Sequence, residues 1–360
     1  MRVKAAWKRL RYPDSAATLA SAGALLGALA VGLTVLGNPA STGLCASCFL
    51  VNVAGAVGLH ARESQSYLRP EILGIVLGAF FAAAAAKEFR VRGGGSPVRH
   101  FLGGAFLLLG CEVFIGCPIK VLLRTAGGGA AGAVGLAGLV AGVLFATAYL
   151  RDGFSLPEPR ELPEGAGLVF PAAAFLLLAL ASGVADSFAA SGFPAGARHA
   201  PFAASAAAGL LFGAVGQRTR FCVTGSVRTA VLTRDFREAA GTIAFLLAAL
   251  LLNLFLGAFT PTLSLEPGAH TDLPWAFLAL AMVGFGAILV NGCPFRQLVR
   301  ASSGDLDATA AVAGMLLAAG LSVRWGIGSS PAGVTAAGKT AVLLGCAFFL
   351  VLAAWKRKGV

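Results

Sequence analysis

The chain has 360 residues, of which 57% are hydrophobic and only 12% are charged, and its formal net charge is +12. Soluble domains carry about 25% charged residues, so this composition excludes an ordinary soluble protein and indicates an all-α polytopic membrane protein. The basic residues lie mostly at the termini and between apolar runs. That placement favours topology signals and lipid-headgroup contacts over nucleic-acid binding.

Ten uncharged runs divide the chain and predict roughly eight to ten membrane spans, because some of the runs are short for a full crossing. The first run is uncharged over 21 residues, which suits a retained span better than the core of a cleaved signal peptide. The runs lie at about residues 16–36, 72–86, 101–111, 130–149, 165–185, 200–217, 239–260, 273–290, 308–323 and 340–354.

Three basic segments are predicted to lie on the cytoplasmic side of the inner membrane, since positively charged loops stay inside. They are the N-terminus, the loop from Lys87 to His100 and the tail from Lys356 to Lys358. The segment from Thr260 to Asp272 carries acidic but no basic residues and is predicted to face outward.

Two short stretches, Gly116–Lys120 and Gly292–Arg296, interrupt apolar sequence with the same pattern of Gly-Cys-Pro-x-cation. Proline is favoured at the first helical position and glycine permits a sharp break, so each cysteine is predicted to begin a helix inside the membrane. Such a helix N-terminus attracts anions and favours the thiolate form of a cysteine.

Each pattern continues to a second cation, Arg124 or Arg300, at helical spacing from the cysteine. A thiol and two cations on one helical face suit a small sulfur-bearing anion. One such motif alone would be more simply explained by a buried small residue and cations that reach the membrane surface. Its duplication favours a functional role. Asn291, beside the second motif, is predicted to line the same path.

A second pair of cysteine elements supports an internal repeat. Cys45 and Cys222 follow similar short segments, and they precede the cysteines of the Gly-Cys-Pro motifs by 72 and 71 residues. Matching spacing in both halves is typical of transporters built from structural repeats, whether inverted or parallel. The predicted divisions are 1–150 for the first membrane repeat, 151–165 for a linker, 166–199 for an additional span and loop, and 200–355 for the second membrane repeat.

Several further residues have two interpretations each. The basic stretch around Arg220 is either part of the site or a cytoplasmic loop. Cys45 and Cys48 have the spacing of a redox pair, or of half a metal site for which no further ligands are evident, so no metal or cofactor is predicted. Glu112, whose counterpart in the repeat is Ile288, either couples transport to protons or forms a salt bridge. Cys111 and Cys346 lack counterparts and are predicted to be packing residues.

The motifs resemble those of the YeeE/YedE family of membrane proteins. The resemblance is carried by Gln217–Gly225 and the two Gly-Cys-Pro stretches, and it extends through Leu36–Pro39, Cys45–Cys48 and Tyr67–Glu71. The last group is more similar to the YedE-type branch, whose members are often proposed to be selenium transporters.

The resemblance implies two repeats whose re-entrant half-helices meet at mid-membrane, like an hourglass, and uptake of thiosulfate or a related sulfur compound. The Cys45–Cys48 pair and Glu112 leave open whether the substrate is thiosulfate or a selenium species. It implies that the anion passes along central thiols by thiol–sulfur hydrogen bonds, and that a separate TusA-like sulfurtransferase acts in the cytoplasm. The positions carried over by motif are Cys45, Cys117, Cys222 and Cys293, with Cys48 ambiguous because the repeat aligns it with Gly225.

The sequence therefore predicts a permease without turnover chemistry. Lys120, Arg124, Arg296 and Arg300 attract the anion in this hypothesis, and Arg220 belongs to the same basic surroundings. The alternative is a membrane thiol oxidoreductase or sulfur-transferring protein that uses Cys45 and Cys48. A third and weaker interpretation is a metal or anion channel.

Overall fold

A computed structural model describes residues 15–183, 198–262 and 268–355, and the regular structure of these residues is almost entirely helical. The basic N-terminus and the tail from Lys356 to Lys358 lie outside the described residues. The helices are α1 Ala16–Val35, α2 Ala46–Ala56, α3 Pro70–Ala85, α4 Pro97–Phe114, α5 Pro118–Ala126, α6 Ala130–Arg151, α7 Glu164–Gly183, α8 Phe202–Thr219, α9 Val223–Thr233, α10 Arg237–Phe255, α11 Leu273–Leu289, α12 Pro294–Ser302, α13 Leu306–Arg324 and α14 Ala336–Trp355.

Ten longer helices coincide with the ten uncharged runs of the sequence, and the protein is an all-α, multi-pass membrane protein. Within the described residues, nine segments are long and apolar enough to cross a membrane, two of which join a long helix to the short helix that follows it. Helix α8 is the tenth long helix and is less apolar, because it ends in Gln217, Arg218 and Thr219.

Four short helices begin at cysteines. Cys45, Cys117, Cys222 and Cys293 are the N-cap residues of α2, α5, α9 and α12, which have 11, 9, 11 and 9 residues. At 1.5 Å per residue these helices are roughly 14–17 Å long, about half the thickness of a bilayer core. They are therefore the re-entrant half-helices of the fold. Those at Cys117 and Cys293 begin where the Gly-Cys-Pro pattern predicts.

The breaks before α5 and α12 have the same backbone geometry. Ile115 and Asn291 adopt left-handed conformations with φ of 61° and 64°, the first directly after α4 and the second two residues after α11. The next residues, Gly116 and Gly292, donate N–H groups to the carbonyls of Cys111 (2.7 Å) and Ala287 (2.6 Å). This pairing closes α4 and α11 as in a Schellman cap and lets the chain turn sharply into the half-helix.

The two halves exchange partners. Helix α1 packs on α10, and its counterpart α8 packs on α3; likewise α4 packs on α13, and α11 packs on α6. The half-helices follow the same rule, since α5 contacts α10 and α12 contacts α3. Each half therefore completes the other, and the chain is a pair of interlocked structural repeats.

The repeats are inverted, which the sequence left open. Helix α8 begins beside the end of α1, where the Ala200 N–H donates to Asn38 Oδ1 at 2.9 Å. Helices α1 and α8 hold equivalent positions in the two halves. Because α8 begins where α1 ends, the two helices run in opposite directions. The repeat axis consequently lies in the plane of the membrane, as in transporters with inverted topology.

The inversion fixes which segments share a face of the protein. Helix α3 starts beside Asn38 at the end of α1 and runs back toward the face where α1 begins. The loop from Lys87 to His100 follows α3 and therefore lies on that face, here called the N-terminal face. Strand β1 (Arg92–Gly93) pairs there with β2 (Arg160–Glu161). Residues 260–262 and 268–272 lie on the opposite face. The basic loop and the acidic segment are thus on different faces, as the sequence predicts.

Glycines allow the paired helices to approach at backbone distance. A Cβ atom on Gly142 of α6 would lie 1.9 Å from the Ala281 carbonyl oxygen of α11. A Cβ atom on Gly314 of α13 would lie 1.9 Å from the Phe101 carbonyl oxygen of α4. Close packing at small residues is the main source of helix association in lipid.

We expect Gly142→Ala to lower the free energy of unfolding in detergent by about 2 kcal/mol or more, since the two backbones must separate. The matched control is Gly32→Ala in α1, where a Cβ atom meets nothing within 4 Å. That change should be neutral or slightly stabilising. Equal effects of the two substitutions in thermal or denaturant unfolding would contradict the packing account.

Candidate functional site

Three cysteines of the first half lie together at the start of two half-helices. Cys45 Sγ accepts the Cys48 N–H at 3.4 Å and the Cys117 N–H at 3.4 Å. The Sγ atoms of Cys45 and Cys48 are 2.8 Å apart. Cys45 and Cys117 are fully buried, and Cys48 is half-buried. The thiol of Cys45 thus receives N–H groups from the starts of both α2 and α5.

The second half repeats this arrangement with two cysteines. Cys222 Sγ accepts the Gly225 N–H at 3.3 Å and lies 3.7 Å from Cys293 Sγ. Gly225 takes the place of Cys48, which confirms the repeat alignment and explains why the second group lacks a third thiol. A hydroxyl group flanks each first cysteine, with Ser47 Oγ 3.5 Å from Cys45 Sγ and Thr224 Oγ1 3.3 Å from Cys222 Sγ.

The predicted cysteines therefore form two groups rather than one continuous row. Among the described residues, no hydrogen bond joins the group at Cys45, Cys48 and Cys117 to the group at Cys222 and Cys293. The contacts join Cys45 to Cys117 and Cys222 to Cys293, each within one half, whereas the matched sequence spacing predicts only that the two halves are equivalent.

A cavity of about 440 Å³ opens toward the opposite face and reaches Cys48. Its cations are Lys120, Arg69 and Arg198, and we call it the lysine cavity. Lys120 is buried, with Nζ 3.9 Å from Cys48 Sγ. An anion that enters this cavity therefore meets an ammonium group and a thiol side by side.

A second cavity of about 300 Å³ lies toward the N-terminal face and reaches Cys222. Five arginines and one carboxylate, Glu238, line it, and we call it the arginine cavity. Asn291 and Gly292 also line it, beside the start of α12. Arg296 lies near the cysteine end and donates to the Gly216 carbonyl at 3.2 Å. The arginines are Arg92, Arg220, Arg228, Arg296 and Arg300.

The predicted second cations, Arg124 and Arg300, bind backbone carbonyls. Arg124 Nη1 donates to the Phe114 carbonyl at 2.9 Å, and Arg300 Nη1 donates to the equivalent Val290 carbonyl at 3.3 Å. These carbonyls end α4 and α11, so each guanidinium stabilises the negative end of a helix that stops inside the protein. Arg300 also forms a salt bridge with Asp305 at 2.7 Å. Both arginines therefore shape the helix break.

The segment after residue 268 closes one wall of the lysine cavity. Arg124 Nη2 donates to the Gly268 carbonyl, and His270 Nε2 donates to the Val113 carbonyl at 2.9 Å. The Asp272 N–H donates to His270 Nδ1 at 3.2 Å, which fixes the tautomer. Burial lowers the pKa of His270, so the ring is neutral and serves to hold this segment against the end of α4.

A buried polar network behind the lysine cavity was missed by sequence reasoning. Arg69 and Glu71 are 2% and 0% exposed, and Asn38 joins them, accepting from Arg69 Nη1 at 3.3 Å and donating to Glu71 Oε1 at 2.9 Å. Arg69 Nε also donates to Asn52 Oδ1 of α2 at 2.7 Å. The network thereby fixes the half-helix that starts at Cys45. Its signal in the sequence is a pair of opposite charges flanking Pro70 at the edge of an apolar run.

Together these features define a multi-pass membrane protein with an inverted repeat, in which cysteine-capped half-helices meet cation-lined cavities on both faces. Residues 218–355 match the family described as "Sulphur transport". The matched part runs from the end of α8 to the end of α14 and contains Cys222, Asn291, Cys293 and Arg296. The match agrees with the resemblance to the YeeE/YedE family over that part of the chain. No curated protein sequence matches the chain.

Proposed function

We propose that the protein is an inner-membrane permease for a small sulfur-containing anion such as thiosulfate, or for a related selenium compound. The observation that carries the proposal is the duplicated half-helix. In each half, a thiol at a helix N-terminus lies at the inner end of a cavity lined by cations. The match to a sulphur transport family supports the same substrate class.

The cations of the two cavities attract the anion, and the thiols between the cavities form the path along which it moves. Lys120 on one side and Arg220 and Arg296 on the other draw the anion from solvent toward the cysteines. The half-helix N-termini add positive potential where the path is narrowest. Cys45, Cys48 and Cys117 then exchange the anion with Cys222 and Cys293 through weak thiol–sulfur contacts. Weak binding at several sites suits passage, because a single tight site would not release the anion.

The orientation proposed here places the N-terminal face in the cytoplasm, because the loop from Lys87 to His100 is basic and lies on that face. The arginine cavity is then the exit. A separate TusA-like sulfurtransferase would collect the anion there, and a cavity lined by five arginines retains an anion until such a partner arrives.

A second candidate function is sulfur transfer or thiol oxidation at Cys45 and Cys48. It is favoured by one observation, the 2.8 Å separation of their Sγ atoms. In sulfur transfer, a Cys45 or Cys48 thiolate would take the outer sulfur of thiosulfate, leaving a persulfide on the protein and releasing sulfite. Alkylation followed by mass spectrometry would detect that persulfide, whereas the permease accumulates no covalent adduct.

The test of substrate class is uptake by cells that lack their own carriers for sulfur anions. Labelled thiosulfate, sulfite, sulfate and selenite are offered separately to cells with and without the protein. Accumulation of thiosulfate or selenite above that of sulfate supports the proposal. The absence of uptake of all four anions would contradict the proposed function.

A further inference from the structure

The two cavities differ at one position that the repeat makes directly comparable. Glu112 lines the lysine cavity, and its counterpart Ile288 lines the arginine cavity. The backbone is equivalent at both positions, since the carbonyls of Glu112 and Ile288 accept the N–H groups of Ile115 and Asn291, each at 3.3 Å. The same helix break forms with an aliphatic residue, Ile288, in the second half. The fold therefore does not require a carboxyl group at position 112.

The carboxyl group of Glu112 has no charged partner in residues 15–183, 198–262 and 268–355. No Lys, Arg or His nitrogen in these ranges lies within 4.0 Å of it, so the salt bridge that was one of two expectations is not formed. The side chain is half-buried. The charged and titratable groups at the cavity are Cys48, Lys120, Arg69 and Arg198, and Cys45 lies behind Cys48. Cys111 is beside Glu112 on α4, and Arg124 and His270 lie across the end of α4.

We infer that Glu112 is the binding site of a proton that is taken up together with the anion. The inference rests on the proposed passage of a sulfur anion through the lysine cavity. An ionised carboxyl group in this cavity repels an arriving anion, and a protonated one does not. By linkage, an anion that binds better to the protonated form raises the proton affinity of Glu112 by the same factor. Proton and anion therefore bind together.

The asymmetry between the cavities gives this coupling a direction. The lysine cavity binds the anion with its proton, whereas the equivalent wall of the arginine cavity carries Ile288 and binds no proton there. A proton gradient directed inward through the lysine cavity would consequently drive the accumulation of the anion. The sequence alone had left proton coupling as one of two roles for this residue.

The experiment measures initial uptake of radiolabelled thiosulfate by the purified protein in lipid vesicles at equal pH on both sides. For the wild type, the KM for thiosulfate should rise about tenfold between about pH 6 and about pH 8, within the usual range of coupling between two sites. Glu112→Gln mimics the protonated form and should keep the low KM at both pH values. Glu112→Ile, which copies the other half, should behave in the same way.

The control is Glu63→Gln, which removes an exposed carboxylate from the same face outside both cavities. It should retain the pH response of the wild type. A dye that reports internal pH should also show proton entry with thiosulfate in the wild type and none with Glu112→Gln. The inference is overturned if both Glu112 variants keep the wild-type pH response, or if folded Glu112→Gln protein takes up no thiosulfate. A wild type without uptake at either pH overturns the proposed function and this inference together.

Discussion

Cys117→Ser and Cys293→Ser are each expected to lower thiosulfate uptake about tenfold or more, a loss of roughly 1.4 kcal/mol along the path. Both thiols are buried at half-helix N-termini and lie beside the first cysteine of their half. Serine replaces a large polarizable sulfur by a smaller oxygen, which weakens contacts to a sulfur anion. Serine is also a good N-cap residue, so the half-helix itself should remain.

The matched control for these variants is Cys346→Ser. Cys346 is half-buried in α14 and lines neither cavity. Its replacement should leave uptake unchanged at equal amounts of membrane-inserted protein, measured by immunoblot. Uptake that is unaffected by both Cys117→Ser and Cys293→Ser would show that the anion does not pass these thiols.

Arg69→Met is expected to destabilise the protein by about 3–5 kcal/mol, the usual result of removing one partner of a buried ion pair. Glu71 would lose its nearest cation, and Asn52 Oδ1 would lose the donor that holds α2. The buried guanidinium also lies 4.3 Å from the ring centroid of Phe49, a further contact that methionine replaces only in part. Uptake should fall together with stability, because α2 carries Cys45 and Cys48.

The comparison for Arg69→Met is Arg62→Met, on the same face. Arg62 is exposed and forms no side-chain hydrogen bond or salt bridge in the described residues, so its replacement should change the unfolding temperature little. Thermal unfolding in detergent measures both variants. A similar unfolding temperature for Arg69→Met and the wild type would show that the network is not what holds the half-helix.

Much of the fold follows from hydrophobicity alone. All ten long helices match uncharged runs, because a helix that crosses lipid must be apolar over most of its length. The starts of the half-helices α5 and α12 were predictable from the two Gly-Cys-Pro motifs. Helices α2 and α9 were not, because each begins at a cysteine with no proline after it, and a thiol that accepts an N–H group is a rare N-cap.

The site could be predicted only in part, because its cations depend on tertiary contacts. Lys120, Arg296 and Arg300 line cavities, whereas Arg124 and Arg300 bind the carbonyls that end the preceding helices. Spacing along a helix places these residues on one face but does not show which partner each side chain meets. The inverted orientation was hidden for a similar reason, since it is revealed by the contact between Ala200 and Asn38.

The central claim is that a sulfur anion crosses the membrane intact, and thiosulfate allows this to be tested because its two sulfur atoms can be labelled separately. Vesicles that contain the purified wild-type protein are given thiosulfate with one label on the outer sulfur and another on the inner sulfur. The permease account predicts that both labels enter the lumen in equal amounts, with no persulfide on the protein. Entry of the outer sulfur alone, or entry of neither label, would contradict it.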